Sequence, residues 1–187
     1  MEENILVCYY QIMKKALVIV DYQNDFVDGS LGFKGAELLE DLLIEKINQA
    51  VKENSTVIFT KDTHPENYLE IQEGKNLPVL HCIKNTKGWQ LYGKLFFLEK
   101  EIKDSCTIEK PTFGSLELAK ILKDGKFDEV ELAGLVSNIC VISNAIIAKT
   151  ALPEALITVD SKATSSFDDG MNKKALDIMK GLQIRIL

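Results

Sequence analysis

Short apolar runs rich in β-branched residues alternate along this chain with longer segments of helical periodicity, and this alternation restricts the fold more than any other feature. It is typical of a parallel sheet whose strands are joined by helical crossovers. The runs are nearly continuous in apolar residues, as expected for strands that are buried on both faces. We predict six strands: Ala16–Val20, Thr56–Thr60, Val79–Ile83, Glu129–Ala133, Leu156–Val159 and Gln183–Ile186.

Three segments between these strands have the spacing of amphipathic helices. The first, Ala36–Glu53, carries one apolar stripe, and Ser115–Lys123 and Asn138–Lys149 have similar spacing. The stripe of the first helix consists of Leu39, Leu42, Leu43, Ile47 and Val51. The sequence therefore predicts an α/β fold, a three-layer sandwich in which a mostly parallel, six-stranded sheet is flanked by helices on both faces.

The size and charge of the chain narrow the class of function. With 187 residues, of which 46% are hydrophobic, the chain suits one compact domain with a sizeable core. Its net charge of -6, with both signs interspersed, offers no basic field to nucleic acid or to an anionic membrane, so we expect a small-molecule partner. The four cysteines have neither zinc-ribbon spacing nor the density of a secreted scaffold, which favours a cytoplasmic location. They are Cys8, Cys82, Cys106 and Cys140.

The first dozen residues stand apart from the rest of the pattern. The apolar triplet at residues 5–7 is too short to cross a bilayer, and no cationic region precedes it, so it lacks the pattern of a signal peptide. Met13 comes shortly before the first predicted strand. We therefore expect residues 1–12 to be an N-terminal extension and residues 13–187 to form the functional domain.

Residues with reactive or metal-binding side chains follow the predicted strands. Asp21 follows the first strand, and Asp62 and His64 follow the second. His81 lies near the end of the third strand, and Cys140 comes shortly after the fourth. Ligands of open α/β sheets bind beyond the carboxyl ends of the strands, so these side chains converge if the strands are neighbours. Cys140 also opens a predicted helix, where free N–H groups and the helix dipole favour a thiolate.

Two long motifs resemble the isochorismatase-like cysteine hydrolases and, within that superfamily, the nicotinamidases. The motifs are Ala16–Phe26, with the sequence ALVIVDYQNDF, and Gly134–Val141, with the sequence GLVSNICV. Their order and spacing are far more specific than a lone cysteine or aspartate. The segment Thr60–Pro65, followed by Glu73 and His81, resembles the metal-binding segment of nicotinamidases. The resemblance covers the expected hydrolase domain and leaves out the N-terminal extension.

The resemblance implies a hydrolase of small carboxamides that converts nicotinamide to nicotinate and ammonia, a reaction of NAD salvage. It assigns Asp21 to accept the thiol proton and pass it to ammonia, Lys110 to keep the reacting groups charged, and Cys140 to form a thioester. It also implies an oxyanion hole made by the backbone N–H groups of Val136 and Cys140, beside a cis peptide bond between Leu135 and Val136. Relatives often form dimers or tetramers, so a homo-oligomer is expected.

A metal site is expected in the same region. The chain has two histidines, and both lie in one segment with two suitable carboxylates: Asp62, His64, Glu73 and His81. This donor set suits zinc, with iron or manganese as alternatives. In nicotinamidases such a metal binds the pyridine nitrogen and activates water, and the resemblance implies the same here. Glu70 and Glu66 are alternatives to Glu73, and a polar loop without a metal is also open.

Two aromatic residues are candidates for an apolar slot around the substrate ring. Phe26 matches a ring-stacking position of the family, and Phe113 follows the candidate lysine closely. Trp89 and Tyr92 are interpreted as structural. Three further hypotheses stay open: an amide or N-carbamoyl hydrolase without a metal requirement, an isochorismatase-type hydrolase, and a non-catalytic ligand-binding scaffold in which Cys140 is a buried packing residue.

Overall fold

A computed structural model describes residues 13–187, and these residues form one sheet of parallel strands. The strands are β1 (Lys15–Val20), β2 (Thr56–Asp62), β3 (Cys106–Lys110), β4 (Glu129–Leu135), β5 (Leu156–Ser165) and β6 (Arg185–Ile186). They lie in the order β3-β2-β1-β4-β5-β6. The direction of winding reverses between β1 and β4, which is where open α/β sheets place their ligands. The extension expected at residues 1–12 lies outside the described residues.

Helices cover both faces of this sheet. They are α1 (Asn24–Val27), α2 (Glu40–Lys52), α3 (Gln72–Asn76), α4 (Leu95–Glu101), α5 (Leu116–Gly125), α6 (Ile142–Ala151) and α7 (Asp169–Gly181). Buried side chains of α1 and α2 pack on one face, and those of α5, α6 and α7 pack on the other. Short helical turns at Ala36–Leu39, Tyr68–Glu70 and Ser137–Val141 complete the set. Within the described range, no helix is both long and apolar enough to cross a membrane.

Alternate residues of the central strands enter two separate cores. In β1, Leu17 and Ile19 contact the core under α2, whereas Ala16, Val18 and Val20 contact the core under α5, α6 and α7. Successive side chains of a strand point to opposite faces, so a strand buried on both faces needs a continuous apolar run. The predicted three-layer sandwich is confirmed.

Five of the six predicted strands are confirmed, and one prediction is wrong. The run Val79–Ile83 follows Pro78, and Cys82 within it has a φ of 47°, so the backbone is not extended. In the described part of the chain, this run pairs with the sheet only through an isolated β-bridge between Ile83 and His64, in the segment after β2. The sixth strand is instead Cys106–Lys110, at the edge of the sheet. An edge strand buries alternate residues, so it lacks the continuous apolar run on which the prediction relied.

The predicted helices are confirmed with two differences. Val51 was assigned to the apolar stripe of the first helix, but its side chain is 46% exposed and the neighbouring Ala50 is buried instead. The sequence prediction contains no helix at the positions of α1, α3 and α4, and none at that of the longer α7. That helix begins after Asp168, whose Oδ1 accepts a hydrogen bond from the N–H of Met171 at 2.9 Å, an N-cap contact.

Candidate active site

The carboxyl ends of β1, β2, β3 and β4 meet at one edge of the sheet. Asp21 follows β1 directly, and its backbone N–H donates to a carbonyl of β2. Lys110 ends β3 and stands opposite Asp62, which ends β2. Cys140 lies in the helical turn that follows β4. The three predicted catalytic residues therefore come from three different strand ends and are brought together by the pairing of the sheet.

The ammonium group of Lys110 connects the other two catalytic candidates. Its Nζ lies 2.6 Å from Oδ2 of Asp21, 3.6 Å from Sγ of Cys140 and 3.4 Å from Oδ1 of Asp62. It also donates to the carbonyl of Thr112 at 3.0 Å. Burial by itself would lower the pKa of Lys110, but the negative charges of Asp21 and Asp62 act against this, and the pKa is raised. Lys110 is therefore a cation inside the site over the whole working range of pH.

Asp21 is fully buried, and contacts on both sides fix its carboxylate. Its backbone has a φ of 45°, an unusual value for a residue other than glycine. Oδ1 accepts a hydrogen bond from Oγ1 of Thr60 at 2.6 Å, which leaves Oδ2 facing Lys110. Burial raises the pKa of Asp21, and the charge of Lys110 opposes that rise. A carboxylate with a raised pKa beside a thiol is suited to accept its proton.

The thiol of Cys140 is protonated in the free protein. Burial and the nearby charge of Asp21 raise the pKa of Cys140 well above its ordinary value, and Lys110 lowers it only in part. The thiolate that the helix position favours in the sequence is therefore not the resting form. Lys110 Nζ contacts both the carboxylate of Asp21 and the sulfur of Cys140, so Asp21 is the candidate acceptor of the thiol proton as sulfur attacks.

The backbone before Cys140 has an uncommon conformation. The peptide bond between Leu135 and Val136 is cis, as the resemblance implies. Gly134 has a φ of 119°, and a Cβ atom there would lie 2.1 Å from the carbonyl oxygen of Val20, so a side chain does not fit at this position. This close approach of β4 to β1 sets where the chain enters the turn that carries Cys140. The oxyanion hole at the N–H groups of Val136 and Cys140 stays a prediction.

Four side chains beside the triad form a compact donor cluster, consisting of Asp62, His64, Glu73 and His81. One donor atom from each residue lies within 4.8 Å of the others. The Nε2 atoms of His64 and His81 lie 2.9 Å and 3.5 Å from Oδ2 of Asp62. The same atoms lie 3.7 Å and 3.9 Å from Oε1 of Glu73. The fold thus brings together all four predicted metal ligands.

The orientation of the two imidazole rings fits a bound metal ion. Nδ1 of His81 lies 2.8 Å from the carbonyl of Val79, which can only accept, so Nδ1 donates this hydrogen bond and Nε2 of the neutral ring keeps its lone pair. Both ring nitrogens of His64 are buried without a hydrogen-bond partner in the described chain, because the 2.9 Å contact with Asp62 lacks hydrogen-bond alignment. A buried nitrogen without a partner is costly unless a ligand binds it. The donor set suits a divalent ion such as zinc.

Glu73 is the carboxylate of its segment that reaches the cluster. It lies in the first turn of α3 and is partly buried. The alternatives Glu66 and Glu70 are exposed, and Oε2 of Glu70 accepts a hydrogen bond from Nδ2 of Asn67 at 3.2 Å. Of the three glutamates that the sequence leaves open, only Glu73 belongs to the donor cluster found among the described residues.

Asp62 links the donor cluster to the triad. Its Oδ1 faces Lys110, while Oδ2 faces His64 and His81. Burial would raise the pKa of Asp62, but contacts with His64, His81 and Lys110 bring the pKa below its ordinary value. Asp62 is therefore a carboxylate at neutral pH, and it serves both groups of residues at once.

Aromatic rings pack around the donor cluster. The ring of Tyr68 is buried, and its centroid lies 4.7 Å from that of His64 and 5.0 Å from that of His81. The ring of Phe26 lies 5.8 Å from that of His81. Phe113 is 45% exposed, and its place in a substrate slot stays a prediction. Tyr68 is not among the predicted site residues, because a single tyrosine in an irregular segment carries no periodic signal.

Two buried polar residues that support the site are also missing from the sequence prediction. Thr60 donates to Asp21, and the side-chain amide of Gln23 binds the backbone of Asp62. For Gln23 a signal exists, since it stands two residues after Asp21 inside the first motif. For Thr60 the partner lies on a neighbouring strand, so only the pairing of the sheet identifies the contact.

Comparison with known proteins assigns the chain to a family. The model of the isochorismatase domain matches residues 15–186, which is nearly the whole described chain. The chain belongs to the isochorismatase family. It is 32% identical over 166 residues to the isochorismatase family protein PncA of Bacillus subtilis (strain 168), and this match covers 83% of the chain and 88% of that protein.

Two solved structures that are named after an amide substrate share the fold of this chain. The crystal structure of nicotinamidase PncA from Bacillus subtilis has a TM-score of 0.83 and 28% identity, over 93% of this chain and 99% of that one. Pyrazinamidase of Pyrococcus horikoshii, in complex with zinc, has a TM-score of 0.80 and 25% identity, over 93% and 98% of the two chains. Both of these neighbours are named after a carboxamide substrate, and this chain shares their fold.

Proposed function

We propose that this protein hydrolyses nicotinamide to nicotinate and ammonia through a thioester on Cys140. The observation that carries the proposal is the position of Lys110 Nζ, 2.6 Å from Asp21 and 3.6 Å from the sulfur of Cys140. This geometry suits a cysteine nucleophile whose proton passes to a neighbouring carboxylate. Likeness to proteins named nicotinamidase and pyrazinamidase supports the substrate class. All the side chains and backbone N–H groups that the proposed reaction uses lie within residues 13–187.

The first half of the proposed reaction releases ammonia. Sγ of Cys140 attacks the carboxamide carbon while the thiol proton moves to Asp21. The negative oxygen that forms receives hydrogen bonds from the backbone N–H groups of Val136 and Cys140. Lys110 keeps its positive charge and stabilises the sulfur as it becomes anionic. When the C–N bond breaks, Asp21 returns the proton to the leaving nitrogen, so the products are ammonia and a thioester.

The second half of the reaction restores the thiol. Water attacks the thioester carbon and gives a proton to Asp21, and the same N–H groups stabilise the oxygen again. The C–S bond then breaks, and Asp21 passes the proton to the sulfur of Cys140. One water is consumed, nicotinic acid leaves and loses its proton to solvent to become nicotinate, and both side chains return to their starting protonation.

The donor cluster is the reason why we propose an aromatic nitrogen heterocycle as the substrate. Its four residues would hold a divalent ion, with zinc as the best match and iron or manganese as alternatives. Such an ion supplies Lewis acidity toward a pyridine-type nitrogen and toward water. The ring of Phe26 lies beside His81 and offers one apolar wall for a flat substrate, and we place Phe113 at the opposite wall.

Ammonia release tests the reaction and its nucleophile together. We expect nicotinamide and pyrazinamide to be hydrolysed and an N-carbamoyl amino acid to be poor. Cys140→Ala should lower the rate by about 10⁴-fold or more, because the covalent route is lost. Cys106→Ala is the matched control, since Cys106 is a half-buried free cysteine of β3 outside the site. Acid-quenched protein should carry a nicotinoyl group on the peptide that contains Cys140.

Two results would contradict the proposal. If the unmodified protein releases no ammonia from nicotinamide, the substrate is wrong. If Cys140→Ala is as active as Cys106→Ala, the nucleophile is wrong. A zinc-independent preference for the N-carbamoyl compound would support the other amide hydrolases of the family instead.

A further inference from the structure

We propose that Gln23 and Asp25, in the turn that follows β1, are positioning residues that set the geometry of the metal-binding cluster. The inference rests on the proposed function, because it takes the donor cluster as a metal site. Neither residue contributes a donor atom to that cluster. Each acts through the backbone of a ligand or of the residue next to a ligand.

Gln23 binds the backbone of Asp62 in both directions. Its Oε1 accepts a hydrogen bond from the N–H of Asp62 at 2.7 Å, and its Nε2 donates to the carbonyl of Asp62 at 2.9 Å. Nε2 also donates to the carbonyl of Trp89 at 2.9 Å. The side chain of Gln23 is fully buried, so water cannot take over these bonds. The amide therefore restrains the φ and ψ angles of Asp62 and with them the direction of its carboxylate.

This contact replaces a strand that has already ended. On one side, Asp62 pairs with Lys110 of β3. On the other side, β1 ends at Val20, two residues short of the place where it would pair with Asp62. The side-chain amide of Gln23 fills that place and offers the same donor and acceptor as a strand backbone. Asp62 is thus held from both sides at the point where β2 leaves the sheet.

Asp25 holds the segment that carries His81. Its Oδ2 accepts a hydrogen bond at 2.7 Å from the N–H of Cys82, the residue directly after His81. The N–H of Asp25 donates to the carbonyl of Gly88 at 3.0 Å. Gly88 lies against the carboxylate, and a Cβ atom there would be 2.0 Å from Oδ2 of Asp25. This segment is not a strand, and among the described residues it pairs with the sheet only through a bridge to His64. The hydrogen bond that the Asp25 carboxylate accepts from Cys82 therefore helps to place His81.

The same short turn therefore connects the catalytic base to two metal ligands. Gln23 and Asp25 lie two and four residues after Asp21. This short segment therefore fixes the position of the donor cluster relative to the catalytic base. Residues that orient metal ligands typically affect metal affinity 10- to 100-fold when they are changed. We expect effects of that size at both positions.

Zinc affinity, measured by competition with a chromophoric chelator, tests this inference. Gln23→Met keeps the side-chain length but removes its hydrogen bonds, and Asp25→Ala removes the bond to Cys82. Gly88→Ala pushes the carboxylate of Asp25 aside without removing a polar group. Each change should weaken zinc binding about 10- to 100-fold and alter the absorption spectrum of bound Co²⁺, which reports coordination geometry. Asp25→Asn keeps an acceptor oxygen and should restore most of the affinity that Asp25→Ala loses.

Asn24→Ala is the matched control. Asn24 lies between the two positions, and its Nδ2 donates to the carbonyls of Lys87 and Gln90, neither of which adjoins a ligand. Its zinc affinity and Co²⁺ spectrum should stay close to those of the unmodified protein. Wild-type affinity in Gln23→Met and Asp25→Ala, or an equal loss in Asn24→Ala, overturns the positioning role. An unmodified protein that binds neither zinc nor iron nor manganese overturns the proposed metal site itself, which separates the two failures.

Discussion

The triad and the donor cluster meet where Lys110 contacts Asp62, but the two groups of residues are positioned by different parts of the fold. Asp21 and Cys140, like Lys110, are placed by strands that pair within one sheet. Three of the four cluster residues instead lie in the irregular stretch between β2 and β3, and one of them, His81, follows a loop. A regular sheet can position side chains from distant parts of the chain, whereas an irregular stretch needs side-chain hydrogen bonds to the backbone to do so.

The two groups also differ in their access to solvent. Asp21 and Lys110 have fully buried side chains, so their charges are compensated by each other. Glu73 keeps a partly exposed side chain, whereas the other three residues of the cluster are buried. Loss of a charge from the triad should therefore lower the stability of the fold, whereas loss of a cluster residue should mainly lower metal affinity.

The strongest test of this difference removes the buried cation. Lys110→Met leaves Asp21 and Asp62 buried without their counter-charge and should lower the free energy of unfolding by about 3–5 kcal/mol, measured by chemical denaturation. Lys84→Met is the control, because Lys84 pairs with Glu109 at an exposed site and should change stability by less than about 1 kcal/mol. Equal stability of the two variants would show that the triad is not held together by its charges.

A cluster substitution should have a smaller and different effect. His81→Ala should lower zinc affinity and kcat/KM by about 100-fold, because a nitrogen ligand is lost. Alkylation of Cys140 by iodoacetamide in the zinc-free protein should keep its rate, since no hydrogen bond or ion pair joins the two side chains in the described chain. Glu70→Gln, an exposed carboxylate of the same stretch, serves as the control. A changed alkylation rate would mean that the two halves of the site are not separable.

The smallest expected effect concerns the acid side of the pH profile. Asp21 accepts a proton only when ionised, so activity falls as the pH drops through its pKa. Burial raises that pKa above the ordinary 3.8, and the midpoint at saturating zinc should lie above this value. Thr60→Val removes a hydrogen bond to the ionised carboxylate and should move the midpoint upward by about one pH unit.

Thr107→Val is the control for this profile, because Thr107 donates to Glu99 at an exposed site. Its midpoint should match that of the unmodified protein. A midpoint that moves with zinc concentration, and not with Thr60→Val, would report protonation of the histidines instead of Asp21.

Much of the architecture can be read from the sequence, because a strand buried on both faces must be a continuous apolar run, as Ala16–Val20 is. The same criterion fails for Cys106–Lys110, which is half exposed at the edge of the sheet. It also fails for Val79–Ile83, which has strand-like composition but turns at Cys82. The donor cluster can be predicted because both histidines fall in one segment, whereas the supporting role of Thr60 cannot.

The sequence by itself determined the alternation of most strands with helices, the family motifs and the residue types available for chemistry, because these depend on near neighbours in the chain. Only the tertiary structure decided that Lys110 reaches Asp21, Cys140 and Asp62 together. It also decided that Glu73, among the three candidate glutamates, belongs to the cluster and that burial raises the pKa of the Cys140 thiol. Distances between strand ends and the loss of water around a side chain arise from packing, and packing joins residues that are far apart in sequence.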